Sequence, residues 1–331
     1  AGTVARTENS RIPDFRTNML YGQKDFDHTA FPGFGNRAFF VYVDYRARGA
    51  RPLCAPRDQA ALLPRTAARL RAGGPFKIIA YGDSITAGFG VPESHSYLGR
   101  LVENPKDEWP DMQGICLSRV LPNLRVLNLA ASGSTSLDLA DRLSERLPRQ
   151  DRDVLGIVVM TTGGNDLIHN YGRTPPKEGA MYGSTLRQAM PWIEAFQKRL
   201  DRILATIEER FPGGCHVYLG DIYDPTDGVG DGASAGLPNW PDGLKILDAY
   251  NDILHTCASR RANVHAVPIH AAFLGHGTHC AQFWRKNYRS EDPTYWYGTN
   301  LEDPNERGYD AIRRLFLLEI VKAAESMFAQ R

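Results

Sequence analysis

The segment Tyr81-Gly82-Asp83-Ser84 ends a short apolar run with a hydroxyl side chain. A serine at the end of a strand can attack an acyl carbonyl, because the preceding glycine permits the tight turn that exposes the hydroxyl. The same residues also suit a helix cap, in which a short polar side chain accepts hydrogen bonds from the next backbone N–H groups. We expect Asp83 to be a turn-stabilising acceptor rather than a catalyst. This segment alone does not decide whether Ser84 caps the helix or attacks a substrate.

Two later segments add neutral hydrogen-bond donors. One is Asn128–Thr135, with Ser132-Gly133 at its centre, and the other is Gly163-Gly164-Asn165-Asp166. Taken singly, such glycines indicate a turn, and Asn-Asp indicates the start of a helix. Taken together and in this order, the three segments resemble the SGNH (GDSL-type) hydrolase family. The resemblance covers about residues 76–170 by motif, and residues 215–330 by topology and one partial motif.

The resemblance implies a role for each matching residue. Ser84 would attack the carbonyl of an ester, and the oxyanion would be held by the backbone N–H groups of Ser84 and Gly133 and by the side-chain amide of Asn165. A glycine lets the backbone approach the substrate, and a neutral amide donates without changing its protonation state. One donor of this kind is worth about 2.7–4 kcal/mol in the transition state. No cofactor is expected for this chemistry.

The proton acceptor is the point at which the chain departs from the family pattern. The family usually has Asp-x-x-His-Pro before its last helix, whereas this chain has Asn300-Leu301-Glu302-Asp303-Pro304. Imidazole is the natural base for a serine, because its pKa lies near the working pH. His276, between two glycines, is therefore the preferred candidate for the base, with His279 as the alternative. Asp303 or Glu302 would orient the imidazolium.

Other interpretations of these residues stay open. Asp303 is itself a candidate base, although a carboxylate suits glycoside hydrolysis better than the activation of a serine. A glycoside hydrolase that uses Asp303 and Glu302, or an inactive carbohydrate-binding derivative, is the alternative function. We expect no metal site at His276, His279 and Cys280, because structural zinc normally takes four ligands.

An aromatic insertion over 274–303 predicts where the substrate binds. It contains Trp284, Tyr295 and Trp296, which could stack on a sugar ring, and its aromatic density argues against disorder. The other interpretation is that these rings pack the loop onto the N-terminal extension. His95, which follows the nucleophile segment, is a candidate for the substrate entrance. We expect a small acyl group, above all acetyl, on a polar or carbohydrate substrate.

The elements that position these residues alternate along the chain. Short Val-, Ile- and Leu-rich runs predict buried strands at 77–81, 125–130, 154–161, 216–219 and 264–269. Helices are predicted at 97–102, 112–120, 137–147, 186–210, 244–260 and 306–328. This alternation predicts an α/β fold, a three-layer α/β/α sandwich with a five-stranded, mainly parallel sheet. Residues 1–74 form a predicted N-terminal extension with a strand at 39–45 and a helix at 59–71, and residues 75–331 form the hydrolase domain.

The bulk composition narrows the partners. The 331 residues are 42% hydrophobic and 23% charged, with 39 Lys and Arg against 38 Asp and Glu. This balance argues against a nucleic-acid partner, and no apolar run has the roughly 20 residues of a membrane span. We expect a small-molecule or carbohydrate ester as the substrate, and the sequence leaves the oligomeric state open. The chain begins at Ala1 without Met, which favours a secreted or periplasmic protein, and most of the five cysteines are expected to be buried free thiols.

Overall fold

Five parallel strands form one sheet at the centre of the fold. They are β1 Phe76–Gly82, β2 Arg125–Asn128, β3 Leu155–Thr161, β4 Cys215–Gly220 and β5 Val264–Val267, in the order β2-β1-β3-β4-β5. Every neighbouring pair is parallel, in a computed structural model that describes residues 75–121 and 123–329. The predicted sheet is confirmed. The predicted strand at 39–45, the predicted helix at 59–71 and Cys54 lie outside the described residues.

The helices follow the strands much as the sequence predicts. They are α1 Ser84–Ala87, α2 Tyr97–Val102, α3 Ser136–Arg146, α4 Gly164–Ile168, α5 Leu186–Arg210, α6 Gly243–Ser259, α7 Ile269–Phe273 and α8 Glu306–Ala329. The prediction of a helix at 112–120 was wrong, because only the 3₁₀ turn Leu117–Arg119 forms there. Gly114 has a φ of +77°, a left-handed conformation that no α-helix can continue through.

Alternate residues of each strand face opposite layers, as the two-residue period of a strand requires. Ile78 and Ile157 join one buried cluster, which packs under α2 and α8. Their chain neighbours Ile79 and Val158 join the other cluster, where α5 packs against both α3 and α6. Because both faces of the central strands are covered, β1, β3 and β4 read as nearly continuous apolar runs, and the three-layer prediction is confirmed.

The 274–303 insertion is held to the body of the protein by a buried carboxylate. Asp227 accepts hydrogen bonds from the backbone N–H groups of Gly275 and Gly277 at 2.8 Å and of His279 at 2.9 Å. Burial raises the pKa of Asp227, and these three hydrogen bonds act against that rise. The insertion is therefore an anchored loop rather than a free strap.

Two further sequence predictions concern the described residues. The thiols of Cys116, Cys215, Cys257 and Cys280 are free and buried, as expected for most of the cysteines. Among the described helices, none is both long enough and apolar enough to cross a bilayer. The secreted or periplasmic location stays a prediction.

Candidate active site

Ser84 is the first residue of α1, directly after the end of β1. The helix cap is Asp83, whose Oδ1 accepts from the Ile85 backbone N–H at 3.1 Å and from the Thr161 hydroxyl at 2.7 Å. Gly82 lets β1 run close to β3, since a Cβ there would collide with the Thr161 carbonyl oxygen. The cap and the candidate nucleophile are thus neighbouring residues, with Asp83 turned inward and Ser84 half-buried.

Asp83 is a buried acid with a perturbed pKa. Its side chain is only 2% exposed, and burial raises its pKa to about 6. The hydrogen bonds from Thr161 and Ile85 oppose this shift, while the nearby charge of Asp303 adds to it. The expectation that Asp83 is an acceptor in the turn agrees with these contacts.

The three motif segments come together beyond the ends of β1, β2 and β3. Asn165 lies in α4 and is 7% exposed, and its Nδ2 donates to the carbonyl oxygen of Ser134 at 3.0 Å. The neighbouring Gly133 has a φ of +78°, and a Cβ at that position would have no atom of the described residues within 4 Å. The predicted oxyanion donors therefore belong to loops that touch one another, with open space beside Gly133.

A second buried acid, Asp166, fixes the position of α4. Its carboxylate accepts from the Ser136 backbone N–H at 2.7 Å, from the Ser136 hydroxyl, and from the Tyr250 hydroxyl at 3.4 Å. Arg199 of α5 donates to the Ser136 hydroxyl at 2.8 Å and lies 3.9 Å from the carboxylate. This network joins α4 to the start of α3 and so positions Asn165. Sequence reasoning missed it, although Asp166 stands inside the motif.

Asp303 occupies the position at which the family pattern has histidine. Its side chain is buried, and its Oδ2 accepts from Asn300 Nδ2 at 2.7 Å. Burial raises the pKa of Asp303, while hydrogen bonding by the Ser84 hydroxyl and by Asn300 opposes the rise. Among the described residues no group completes a hydrogen bond to the buried Oδ1 of Asp303, so Ser84 is close enough to affect this carboxyl group without a full hydrogen bond to Oδ1. The structure therefore brings Ser84 and Asp303 together.

Glu302 lies next to Asp303 and lines a cavity that Ser84 and Asn165 also line. The Tyr171 hydroxyl donates to its carboxylate. Burial raises the pKa of Glu302, the Tyr171 hydrogen bond lowers it, and the charge of Asp303 adds to the rise. Asp303 thus lies beside Ser84 and Glu302 lines the same cavity as Ser84, and each acid is held by a different donor.

The structure does not bring the predicted histidine bases to the cavity. His276 is 1% exposed, with Nδ1 2.8 Å from the Thr294 carbonyl oxygen and its ring stacked on Trp296 at 3.5 Å. Burial lowers the pKa of His276 to about 4. His279 is also buried, with Nε2 2.8 Å from Asp231 Oδ1. Among the described residues, those that line the cavity include no histidine.

The predicted substrate-binding residues also lie away from the cavity lining. Trp296 is 3% exposed and meets Phe273 edge to face, and Tyr295 packs against the same core cluster. Trp284 is 65% exposed on the surface, and His95 pairs with Asp107 at 3.1 Å. Tyr295 and Trp296 pack the insertion onto the core of the protein. The alternative that the insertion packs onto the N-terminal extension concerns residues outside the described ones and stays a prediction.

The cavity has a volume of about 600 Å³ and a largely apolar wall. Its apolar and aromatic lining residues include Ile85, Phe89, Leu167, Ile168, Tyr182, Ile222, Leu237, Trp240, Leu244, Leu247 and Leu301. They come from separate stretches, 85–89, 167–182, 222–247 and 301, which only the fold brings together. Only the apolar residues in the stretch 222–247 could have indicated this wall from the sequence.

The comparisons with known proteins agree with the motif assignment. A profile of the GDSL-like lipase/acylhydrolase family matches residues 80–311. The uncharacterised protein YpmR of Bacillus subtilis (strain 168) is 26% identical over 157 residues, or 45% of this chain and 51% of that protein. The chain thus spans about half the length of this curated relative.

Two solved structures that align with this chain have lower sequence identity to it than YpmR has. Axe2, an acetylxylan esterase from Geobacillus stearothermophilus, aligns at a TM-score of 0.48 and 19% identity, over 75% of this chain and 95% of that chain. A member of the lipolytic G-D-S-L family from Veillonella parvula DSM 2008 aligns at 0.42 and 15%, over 75% and 97%. It is the profile match, which extends over most of the chain, that shows that this protein belongs to the GDSL-like lipase/acylhydrolase family.

Proposed function

We propose that this protein hydrolyses carboxylic esters through an acyl-enzyme on Ser84. The observation that carries the proposal is that Ser84 and Asn165 line one cavity, and that Asn165 is bonded to the loop of Gly133. In this mechanism the Ser84 oxygen attacks the ester carbonyl. The Ser84 N–H, the Gly133 N–H and the Asn165 amide then hold the oxyanion, beside a largely apolar cavity wall that strengthens such donors.

The wall of the cavity supports an ester with an apolar group. A volume of about 600 Å³ far exceeds what an acetyl group fills, and the wall offers leucine, isoleucine and aromatic side chains. Each buried methylene contributes about 0.8 kcal/mol. We therefore propose a small-molecule ester whose apolar part occupies this cavity. The acetylated carbohydrate expected from the sequence stays the competing prediction, since the residues that motivated it do not line the cavity.

A glycoside hydrolase is not supported by the arrangement of the acids. That chemistry needs two carboxyl groups on opposite sides of the scissile bond, about 5–9.5 Å apart. Glu302 and Asp303 are neighbours in the chain, and their carboxylates are already engaged by Tyr171 and Asn300. We do not propose this alternative further.

The experiment compares wild type with Ser84→Ala on p-nitrophenyl acetate, butyrate and octanoate, and on a peracetylated sugar. Labelling by a fluorophosphonate, followed by peptide mapping, identifies the nucleophile. We expect wild type to be labelled at Ser84 and kcat/KM to rise with acyl length. Turnover that persists in Ser84→Ala would exclude Ser84 as the nucleophile. Efficient release of acetate from the sugar, with no preference for longer acyl groups, would favour the carbohydrate substrate instead.

A further inference from the structure

We propose that Asp303 is the base that takes the proton from Ser84, and that Asn300 is the residue that positions it. This inference rests on the proposed esterase function and adds the residue that function lacks. It assigns the proton transfer to a carboxylate, where the family pattern described above has an imidazole.

The geometry of the 300–303 turn supports this assignment. Asn300 Oδ1 accepts from the backbone N–H of Glu302 at 3.3 Å and of Asp303 at 3.2 Å, so its Nδ2 points the other way. That Nδ2 donates to Oδ2 of Asp303 at 2.7 Å. One carboxylate oxygen is thus fixed. The other, Oδ1, is buried and has no hydrogen-bond partner within the described part of the chain, and the Ser84 hydroxyl acts on this same carboxyl group.

The residues at 300 and 303 are chemically matched as a pair. In the family pattern an acid precedes the histidine by three residues, and an acceptor suits an imidazole that carries an N–H. Here a carboxylate stands at 303, and the residue three places earlier is an amide that donates to it. An acid at 300 would instead place two like charges side by side, which disfavours ionisation of both. Relative to the family pattern, position 303 thus has a carboxylate in place of the histidine, and position 300 has the donor that a carboxylate needs in place of the acid.

The surroundings keep Asp303 basic enough to accept a proton. The titratable groups around it are Asp83 of the β1–α1 turn, Glu302 beside it, Tyr223 after β4, Tyr309 of α8 and Tyr171 after α4. All of these are acids or phenols, and the Arg173 cation lies beyond, on the face of the Tyr171 ring at 6.0 Å. Burial raises the pKa of Asp303 above its ordinary 3.8. A higher pKa makes a carboxylate a better general base.

The reaction balances in protons and electrons with Ser84, Asp303, the ester and one water molecule alone. As the Ser84 oxygen bonds to the acyl carbon, its proton passes to Asp303 Oδ1 and the carbonyl electrons move to the oxyanion. The bond to the alcohol oxygen then breaks, and Asp303 returns the proton to that oxygen. Water next gives a proton to Asp303 and its oxygen attacks the acyl carbon. Ser84 leaves with the proton, so the products are one alcohol and one carboxylic acid.

The test is the pH dependence of kcat/KM for p-nitrophenyl esters in matched variants. Asp303→Asn keeps the shape of the side chain but cannot accept the proton, so we expect a loss of about 10²–10⁴-fold. The double variant Asn300→Asp/Asp303→His restores the family pair. We expect it to regain activity over Asp303→Asn and to move the acidic limb of the profile to about pH 6.5, the ordinary pKa of histidine. Asp107→Asn, which removes an exposed carboxylate bonded to His95, should match wild type.

Each outcome separates this inference from the proposed function. If wild type neither turns over esters nor labels at Ser84, the esterase proposal itself fails. If Ser84→Ala is inactive while Asp303→Asn stays within a few-fold of wild type, only the assignment of the base is overturned. The same holds if Glu302→Gln abolishes the acidic limb and Asp303→Asn retains it. If Asp303→Asn fails to fold, the temperature dependence of the acidic limb in the wild-type pH profile identifies the base. A limb that stays at the same pH on warming indicates a carboxyl group, because its ionisation involves little enthalpy, and a limb that moves indicates imidazole.

Discussion

The side-chain amide of Asn165 donates to the carbonyl oxygen of Ser134 at 3.0 Å, which joins the loops that follow β2 and β3. The same amide borders the cavity beside Ser84. In the free protein this donor is therefore held ready by a backbone acceptor. In the proposed mechanism, Asn165 would only have to exchange that acceptor for the oxyanion.

Replacing Asn165 by Ala should lower kcat by about 10²–10³-fold and change KM little, because the lost donor acts on the transition state. Stability should fall by only about 1 kcal/mol, the usual worth of one hydrogen bond. Steady-state kinetics and urea unfolding measure the two effects. Asn165→Asp is the matched control, since it keeps the size but supplies no donor, and it should be at least as slow. A rise in KM with kcat unchanged would show that Asn165 binds substrate rather than the oxyanion.

The buried acid beside the nucleophile should make stability depend on pH in a distinctive direction. The pKa of Asp83 is about 6 in the folded protein and 3.8 as the ordinary value, so the folded state holds its proton more tightly. Stability from this group is present below about pH 4 and is lost as the pH rises to about 6, by about 3 kcal/mol in total. Asp83→Asn keeps an oxygen that can accept from Ile85 and Thr161 but cannot ionise.

Urea unfolding of wild type and Asp83→Asn between about pH 4 and pH 7 tests this. The free energy of unfolding of the variant should gain on wild type as the pH rises, and the difference should level off above about pH 6. Other acids with raised pKa values, such as Asp166 and Asp227, cancel in the comparison. A difference that stays constant with pH would show that Asp83 is ionised at its ordinary pKa in the folded protein.

His276→Ala should weaken the fold and not the chemistry, contrary to the sequence expectation for a base. The ring fills a buried site against Trp296 and bonds the Thr294 carbonyl oxygen. Removing it should cost about 2–5 kcal/mol, the range for emptying a buried site. At a temperature where the variant is folded, kcat/KM should stay within a few-fold of wild type, with the same acidic limb. A selective loss of kcat by orders of magnitude would return His276 to the catalytic machinery.

The fold was predictable from the sequence because its rules are local. Strands buried on both faces, such as Leu155–Thr161, read as unbroken apolar runs, and the motif glycines mark the ends of strands. Parallel topology then gathers those ends at one edge, which is why the motif residues could be predicted to meet. Family membership followed from the same segments and is confirmed.

The base and the substrate wall depend on the direction in which side chains of long loops point. The many aromatic residues of the insertion predicted a substrate-binding surface. In the structure, Asp227 bonds the loop to the body of the protein and Trp296 packs in the core. The pairing of Asn300 with Asp303 was present in the sequence at a spacing of three residues. From the sequence, this pair indicated only that the usual acid and histidine were missing. No local rule indicated that the residue at 300 is here the donor and the residue at 303 the acceptor.

The wall of the cavity gives a prediction about substrate length. Leu244 lines the cavity and lies over Gly230, where a Cβ would approach its Cδ1 to 3.0 Å. Leu244→Trp adds a large ring to this wall, whereas Leu244→Ala removes atoms from it. If the acyl chain binds here, the tryptophan should exclude two or three methylene groups of an octanoyl ester. That exclusion removes about 2 kcal/mol of transition-state binding, roughly thirty-fold in kcat/KM.

The informative quantity is the ratio of kcat/KM for the octanoyl ester to that for the acetyl ester. Leu244→Trp should lower this ratio, because acetyl does not extend to the altered wall, and Leu244→Ala should maintain it. An equal loss on both esters would mean that the ring disturbs Ser84 or its donors rather than the acyl site. An unchanged ratio would place the acyl chain elsewhere, and the apolar cavity would then accommodate the alcohol group. Esters of one acid with alcohols of increasing length would decide that case, because the apolar wall must favour whichever side of the ester bond it encloses.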